Sequence, residues 1–169
     1  MCIVIDTNCL NSVFNSKSAN HDEFKPVLDW IMSGIGKVVI GGKRYREELS
    51  EKYLDLISEL DKVGKVVKIV DSEVNRCEGI VTKHFEPTSK FDDQHIVALL
   101  LSSGCKLICS LDARATEYFK LKGLVSGKNS PKIYKCAKHQ SLLCKLNYAD
   151  CCLPRKIMSR KDLRVIGIS

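Results

Sequence analysis

Four acidic residues stand at separate points of the chain where each could contribute to one site. Asp6 ends the apolar run Cys2-Ile3-Val4-Ile5, and Glu48 lies in a helical stretch that follows Val38-Val39-Ile40. Asp93 opens the run Gln94-His95-Ile96-Val97-Ala98-Leu99-Leu100-Leu101, and Asp112 follows Cys105-Lys106-Leu107-Ile108-Cys109-Ser110-Leu111. In an α/β sheet, side chains just past the carboxyl ends of strands converge on one crevice. Carboxylates gathered there repel one another unless divalent cations neutralise them. One or two Mg²⁺ or Mn²⁺ ions held in this way would serve hydrolysis of a phosphodiester by water.

Taken singly, each acid also has a structural reading. Asp6 before Thr7-Asn8 suits a turn, Asp92 and Asp93 suit the positive end of their helix, and Asp112 suits the cap of the next one. Glu47 and Glu48 can pair at helical spacing with Lys43, Arg44 and Lys52. Position favours the shared site. Asp93, Ile96, Val97 and Leu100 fall at i, i+3, i+4 and i+7, so the carboxylate heads a buried stripe. An acid at the edge of a core face is costly without a partner.

Those acids need strands and helices to place them. Short β-branched runs at 2–5, 37–40, 65–70, 105–109 and 132–134 read as strands. Helical patterns cover about 22–33, 43–61, 72–83, 91–102, 113–122 and 137–147. Continuous apolar strands alternating with helices predict a three-layer α/β/α architecture around a mainly parallel sheet. Gly64 and Gly104 stop helices, and Glu86-Pro87-Thr88-Ser89 reads as a loop with Ser89 as a helix cap. We divide the chain into a domain over 1–145 and a basic extension over 146–169 that packs on it or trails from it.

The charge is uneven. Residues 118–169 carry 12 Lys/Arg against Asp150 and Asp162, while the first 117 residues have a net charge of −3. A basic flank beside an acidic front suits a partner with phosphates, and it also suits a solubilising surface. No apolar run reaches the roughly 20 residues of a membrane span. The start has neither a basic n-region nor a small-residue cleavage site, so the nine cysteines read as reduced thiols of a cytoplasmic protein. Cys136, His139, Cys144, Cys151 and Cys152 do not follow a structural zinc spacing, and packing accounts for them better. His21 and His84 read as surface residues. His95, about 200° round the helix from Asp93, reads as facing elsewhere, with a packing or hydrogen-bonding role.

Competing α/β sites lack their motifs. Neither G-x-G-x-x-G, G-x-x-x-x-G-K-[ST] nor G-x-S-x-G occurs. Asn8 stands where a haloacid-dehalogenase-like phosphatase would want a second Asp. A receiver-like Mg²⁺-binding signalling domain could use Asp6 and Asp71, but it leaves Asp93 and Asp112 without a role.

Ile5-Asp6-Thr7-Asn8, Tyr45-Arg46-Glu47-Glu48-Leu49, Asp92-Asp93-Gln94-His95-Ile96-Val97-Ala98-Leu99 and Ser110-Leu111-Asp112 occur in one order. In these segments the chain resembles the PIN-domain nucleases, including the VapC-type toxins of bacterial toxin–antitoxin pairs. The resemblance runs from residue 2 to about 120, and Lys132-Ile133-Tyr134 with His139 and Leu142-Leu143 is similar to the tail of some bacterial PIN proteins. It implies a metal-dependent endoribonuclease with Asp6, Glu48, Asp93 and Asp112 as the catalytic metal ligands for Mg²⁺ or Mn²⁺. It implies Asn8 and Ser110 as supporting polar groups, Asp92 beside the ligands, and Glu48 in preference to the adjacent Glu47. Lys43 and Arg44, one turn before Glu48, are candidates for touching RNA phosphate. An antitoxin or other regulatory protein and a homodimer are partners that the resemblance allows. A PIN-like module that binds RNA or protein without cutting is the alternative.

Overall fold

The computed structural model describes residues 1–85, 91–154 and 157–165. Strands β1 (Cys2–Ile5), β2 (Lys37–Gly41), β3 (Val66–Ile69), β4 (Leu107–Cys109) and β5 (Lys132–Tyr134) form one sheet in the order β3-β2-β1-β4-β5. Every pairing is parallel. All residues of β1, β2 and β4 are buried, so the sheet is covered on both faces. The cover comes from α1 (Leu10–Phe14), α2 (His21–Met32), α3 (Lys43–Glu47), α4 (Glu51–Lys62), α5 (Asp71–Phe85), α6 (Gln94–Ser103) and α7 (Thr116–Phe119), with α8 (Arg160–Val165) near the end. Helix α1 packs on α2, and α6 packs on α5 and α7. The expected three-layer α/β/α fold with a parallel sheet is the one the chain adopts.

The strands were readable because a parallel strand under helices on both sides must be apolar throughout. Helix ends were less readable. The stretch expected as one helix over 43–61 breaks at Glu48-Leu49-Ser50 into α3 and α4. The expected helix over 113–122 shortens to α7, and 137–147 forms 3-10 turns at Ala137–Leu142 and Lys145–Asn147. Helix α1 was not expected at all. The expected loop at 86–89 and the Ser89 cap lie outside the described residues.

Two further expectations are corrected. His21 is buried, and its Nδ1 lies 3.1 Å from the Ser12 carbonyl oxygen, so it ties α2 to α1 instead of facing solvent. The cysteines are not all reduced: Cys2 and Cys152 form a disulfide across 150 residues, with Cα atoms 5.5 Å apart. Folding carries the last third of the chain back to β1, where Ala149, Cys152 and Met158 join the core.

Gly42, between β2 and α3, has φ +80°, and a Cβ added there would stand 2.8 Å from Val74 Cγ1. Gly42→Ala should therefore cost about 1–3 kcal/mol, read as a lower urea midpoint at an unchanged m-value.

Candidate active site

The sheet order reverses direction at β1. From there the chain proceeds outward through β2 and β3 on one side, and β4 and β5 lie on the other. A crevice therefore opens past the carboxyl ends of β1 and β4. Register decides what faces it: Ile5 pairs with Cys109, and the Asp6 N–H donates to the Cys109 carbonyl at 2.9 Å. Asp6 and Ser110 consequently stand side by side.

Asp6 is 3% exposed. Its Oδ2 accepts from Ser110 Oγ at 2.7 Å and from Asn8 Nδ2 at 3.0 Å, and its Oδ1 accepts a longer bond from the Asn8 N–H. Burial pushes its carboxyl above the usual range, the Ser110 and Asn8 bonds oppose this, and Asp112 adds to the rise. Asp112 sits on the turn into α7, where its Oδ1 accepts from the backbone N–H groups of Arg114 (2.7 Å) and Ala115 (3.2 Å). Burial acts to raise its carboxyl, but these N–H bonds and the Arg114 charge outweigh it, and the group lies below the usual range. Its own N–H donates to Ser110 Oγ, so one hydroxyl links the loops after β1 and β4.

Asp93 is the N-cap residue of α6, yet its side chain makes no capping bond, and among the described residues no donor or cation pairs with it. Its carboxyl is pushed up to about 6, first by burial and then by Asp6 and Asp92, with Asp112 adding and His95 opposing. Asp92 is exposed. It lines an open cleft of about 260 Å³ with Phe91, Asp93, Asp112, Arg114, Ala115 and Tyr118.

The break between α3 and α4 places Glu48 at the end of α3. Its Oε2 accepts from Thr7 Oγ1 at 3.0 Å, and its Oε1 lies 3.1 Å from His95 Nε2 without the alignment of a hydrogen bond. His95 thus faces Glu48 from the buried side of α6, which corrects the expectation that it faces away from the acids. Tyr45 anchors α3 under β1 by donating its buried hydroxyl to the Ile5 carbonyl at 2.7 Å. Glu47 faces solvent and pairs with Lys43 at 3.5 Å. Arg44 reaches Glu78 on α5 at 3.1 Å, and neither Lys43 nor Arg44 lines the acidic cleft.

The structure thus gathers Asp6, Asp93 and Asp112 into one field, with Asp92 at the rim and Glu48 joined through Thr7 and His95. Among the described residues, no three of these carboxylates bring oxygens within 4.8 Å of one another. No protein-family model, curated protein or solved structure matches the chain.

Asp71, the acid a receiver-like site would need, is committed elsewhere. Arg46 holds it through two bonds of 2.8 and 2.5 Å, the Gly42 N–H donates to it, and Arg46 keeps its carboxyl below the usual range. Three residues of the site were missed from sequence: Thr7, His95 as a partner of Glu48, and Arg114, whose side chain is 91% exposed beside Asp112. Thr7 and His95 lie inside the acidic motifs, so the motifs themselves were the available signal.

Proposed function

We propose that this chain is a metal-dependent endoribonuclease of the PIN type, with Asp6, Asp93, Asp112 and Glu48 as the residues that would hold Mg²⁺ or Mn²⁺. The observation that carries this reading is Asp93, a half-buried carboxylate with no donor among the described residues and crowded by like charge from three other aspartates. An acid kept in that state costs stability and is explained by a cation it is built to bind. The donor set fits, since oxygen ligands are what hard divalent ions prefer. When bound, the metal supplies Lewis acidity for attack of water on the phosphodiester.

The chain's own residues do the rest. Ser110 and Asn8 hold the Asp6 carboxylate in one orientation, so little reorganisation is needed when substrate arrives. Thr7 does the same for Glu48, whose other oxygen lies 3.1 Å from His95 Nε2. The exposed guanidinium of Arg114 at the cleft rim can pair with a phosphate in bidentate fashion. Lys120, Lys132 and Lys135 line a groove with Thr116, which follows directly on the Asp112 turn, and they extend positive charge along the path of an RNA backbone. Toxicity held in check by an antitoxin, a cytoplasmic site of action and a homodimer belong to the same proposal. Among the described residues, no helix is long and apolar enough to cross a membrane.

The spacing of the carboxylates favours one second reading, a PIN-like module that binds RNA without cutting it. Incubating the purified chain with RNA and Mn²⁺ decides between them. Cleavage that stops on adding EDTA is expected. Cleavage that persists in EDTA would overturn the metal mechanism, and retention of RNA without cleavage would establish the binding module.

A further inference from the structure

The opposite end of β1 carries a second cluster of potential ligands with different chemistry. Among the described residues, Cys2, Cys151 and Cys152 form the group whose sulfur atoms all lie within 4.8 Å of one another. Cys2 and Cys152 are fully buried, and Cys151 is half-buried. A disulfide joins Cys2 to Cys152, but it uses only two of the sulfurs present. Cys151 Sγ stands 3.5 Å from Cys2 Sγ, and Cys105 Sγ stands 3.9 Å from Cys2 Sγ. Sulfur–metal bonds of about 2.3 Å set sulfur–sulfur spacings of about 3.8 Å in a tetrahedral shell, and the Cys2–Cys151 distance lies near that spacing.

We propose that in the reduced chain Cys2, Cys151 and Cys152 bind a thiophilic cation of the Zn²⁺ class, with Cys105 beside them, and that the Cys2–Cys152 disulfide is the metal-free oxidised form of this site. Thiolates are soft ligands and select Zn²⁺ over Mg²⁺ or Mn²⁺. The site therefore does not compete with the carboxylates past the other end of β1, and the proposal does not depend on the nuclease reading. Charge is compensated locally. A divalent ion with three thiolates carries one net negative charge, and Lys37, the β2 residue paired with Cys2, is buried beside Cys151. Opening the disulfide takes two electrons from a phosphine reductant and two protons from a water molecule, whose oxygen leaves as the phosphine oxide. Binding the metal then releases the thiol protons to solvent.

The sequence spacing of Cys136, His139 and Cys144 fits no structural zinc pattern, and among the described residues they form no ligand cluster with Cys151 and Cys152. His139 Nδ1 accepts from the Lys135 N–H, and Cys144 receives a bond from Asn147 Nδ2.

The full chain, reduced with a phosphine under anaerobic conditions, should be titrated with Co²⁺. One equivalent should produce thiolate-to-cobalt absorption in the near ultraviolet that Zn²⁺ abolishes and Mn²⁺ leaves unchanged. Cys151→Ser should lose this absorption, and Cys151→Ala provides a second test because neither change touches the disulfide pair; circular dichroism reports that each is folded. Cys136→Ser, Cys144→Ser and Asp6→Asn should keep it. The proposal is overturned if the reduced chain shows no such absorption, if folded Cys151 variants retain it, or if Cys136→Ser or Cys144→Ser removes it.

Discussion

Asp6→Asn should lower Mn²⁺-dependent RNA cleavage at least about 100-fold, a transition-state loss of about 2.7 kcal/mol, while the chain remains folded. The substitution removes one negative charge and changes little else. Both strong bonds to Asp6 arrive at Oδ2, from Ser110 Oγ and Asn8 Nδ2, so the amide oxygen of Asn can take that position and keep both. Its NH₂ would then face only the longer Asn8 N–H contact at 3.4 Å. Activity and stability are therefore separable here. Initial rates on a labelled RNA, measured beside a thermal melt, check the result. A variant that melts like the parent and still cleaves at the parental rate would remove Asp6 from the mechanism. Asp71→Asn is the companion measurement, because it breaks the ion pair with Arg46 on the far side of β2. It should leave cleavage unchanged, whereas a receiver-like protein would lose its function there.

Asp93→Asn should abolish metal-stimulated cleavage and at the same time make the metal-free chain more stable near neutral pH. The folded chain pushes this carboxyl up to about 6, above the roughly 3.9 of an unfolded aspartate. An acid raised on folding destabilises the native state once it ionises. That cost is absent below about pH 4, grows between about pH 4 and 6, and is complete above about pH 6. Unscreened, the shift corresponds to about 3 kcal/mol; Asp93 is only half-buried, and solvent screening brings the expected gain to about 1 kcal/mol. Removing the charge should raise Tm by about 2–4 °C at about pH 7.5 and by almost nothing at about pH 4. Saturating Mn²⁺ should raise the Tm of the parent and leave that of the variant unmoved. Parent and variant melts that coincide at both pH values would show that Asp93 is not the crowded, uncompensated acid described above.

Much of the fold was legible because its signal is local. A parallel strand buried on both faces must be apolar along its whole length, and Cys2–Ile5, Val38-Val39-Ile40 and Leu107–Cys109 show that pattern without reference to any other part of the chain. Helix ends were poorly legible because caps and breaks are decided by contacts. The break after Glu47 goes with Tyr45, whose hydroxyl binds the Ile5 carbonyl 40 residues away. The site was legible in part. Asp6, Asp93 and Asp112 announced themselves by following strands or heading a buried stripe, and the resemblance pointed to Glu48 over Glu47, while only the fold shows that Glu48 turns toward Thr7 and Glu47 toward Lys43.

By itself, the sequence determined the five strands, the longer helices between them and the positions of acids at their ends, since these follow from periodicity over a few residues. Only the tertiary structure decided which groups meet. The pairing of Ile5 with Cys109 brings Ser110 onto Asp6, and packing of α6 beside α3 turns His95 toward Glu48. The return of the chain's last third brings Cys151 and Cys152 to Cys2. Those meetings join residues 47 to 150 positions apart. Pairings at such range depend on the closure of the whole core, which leaves no periodic trace in the chain.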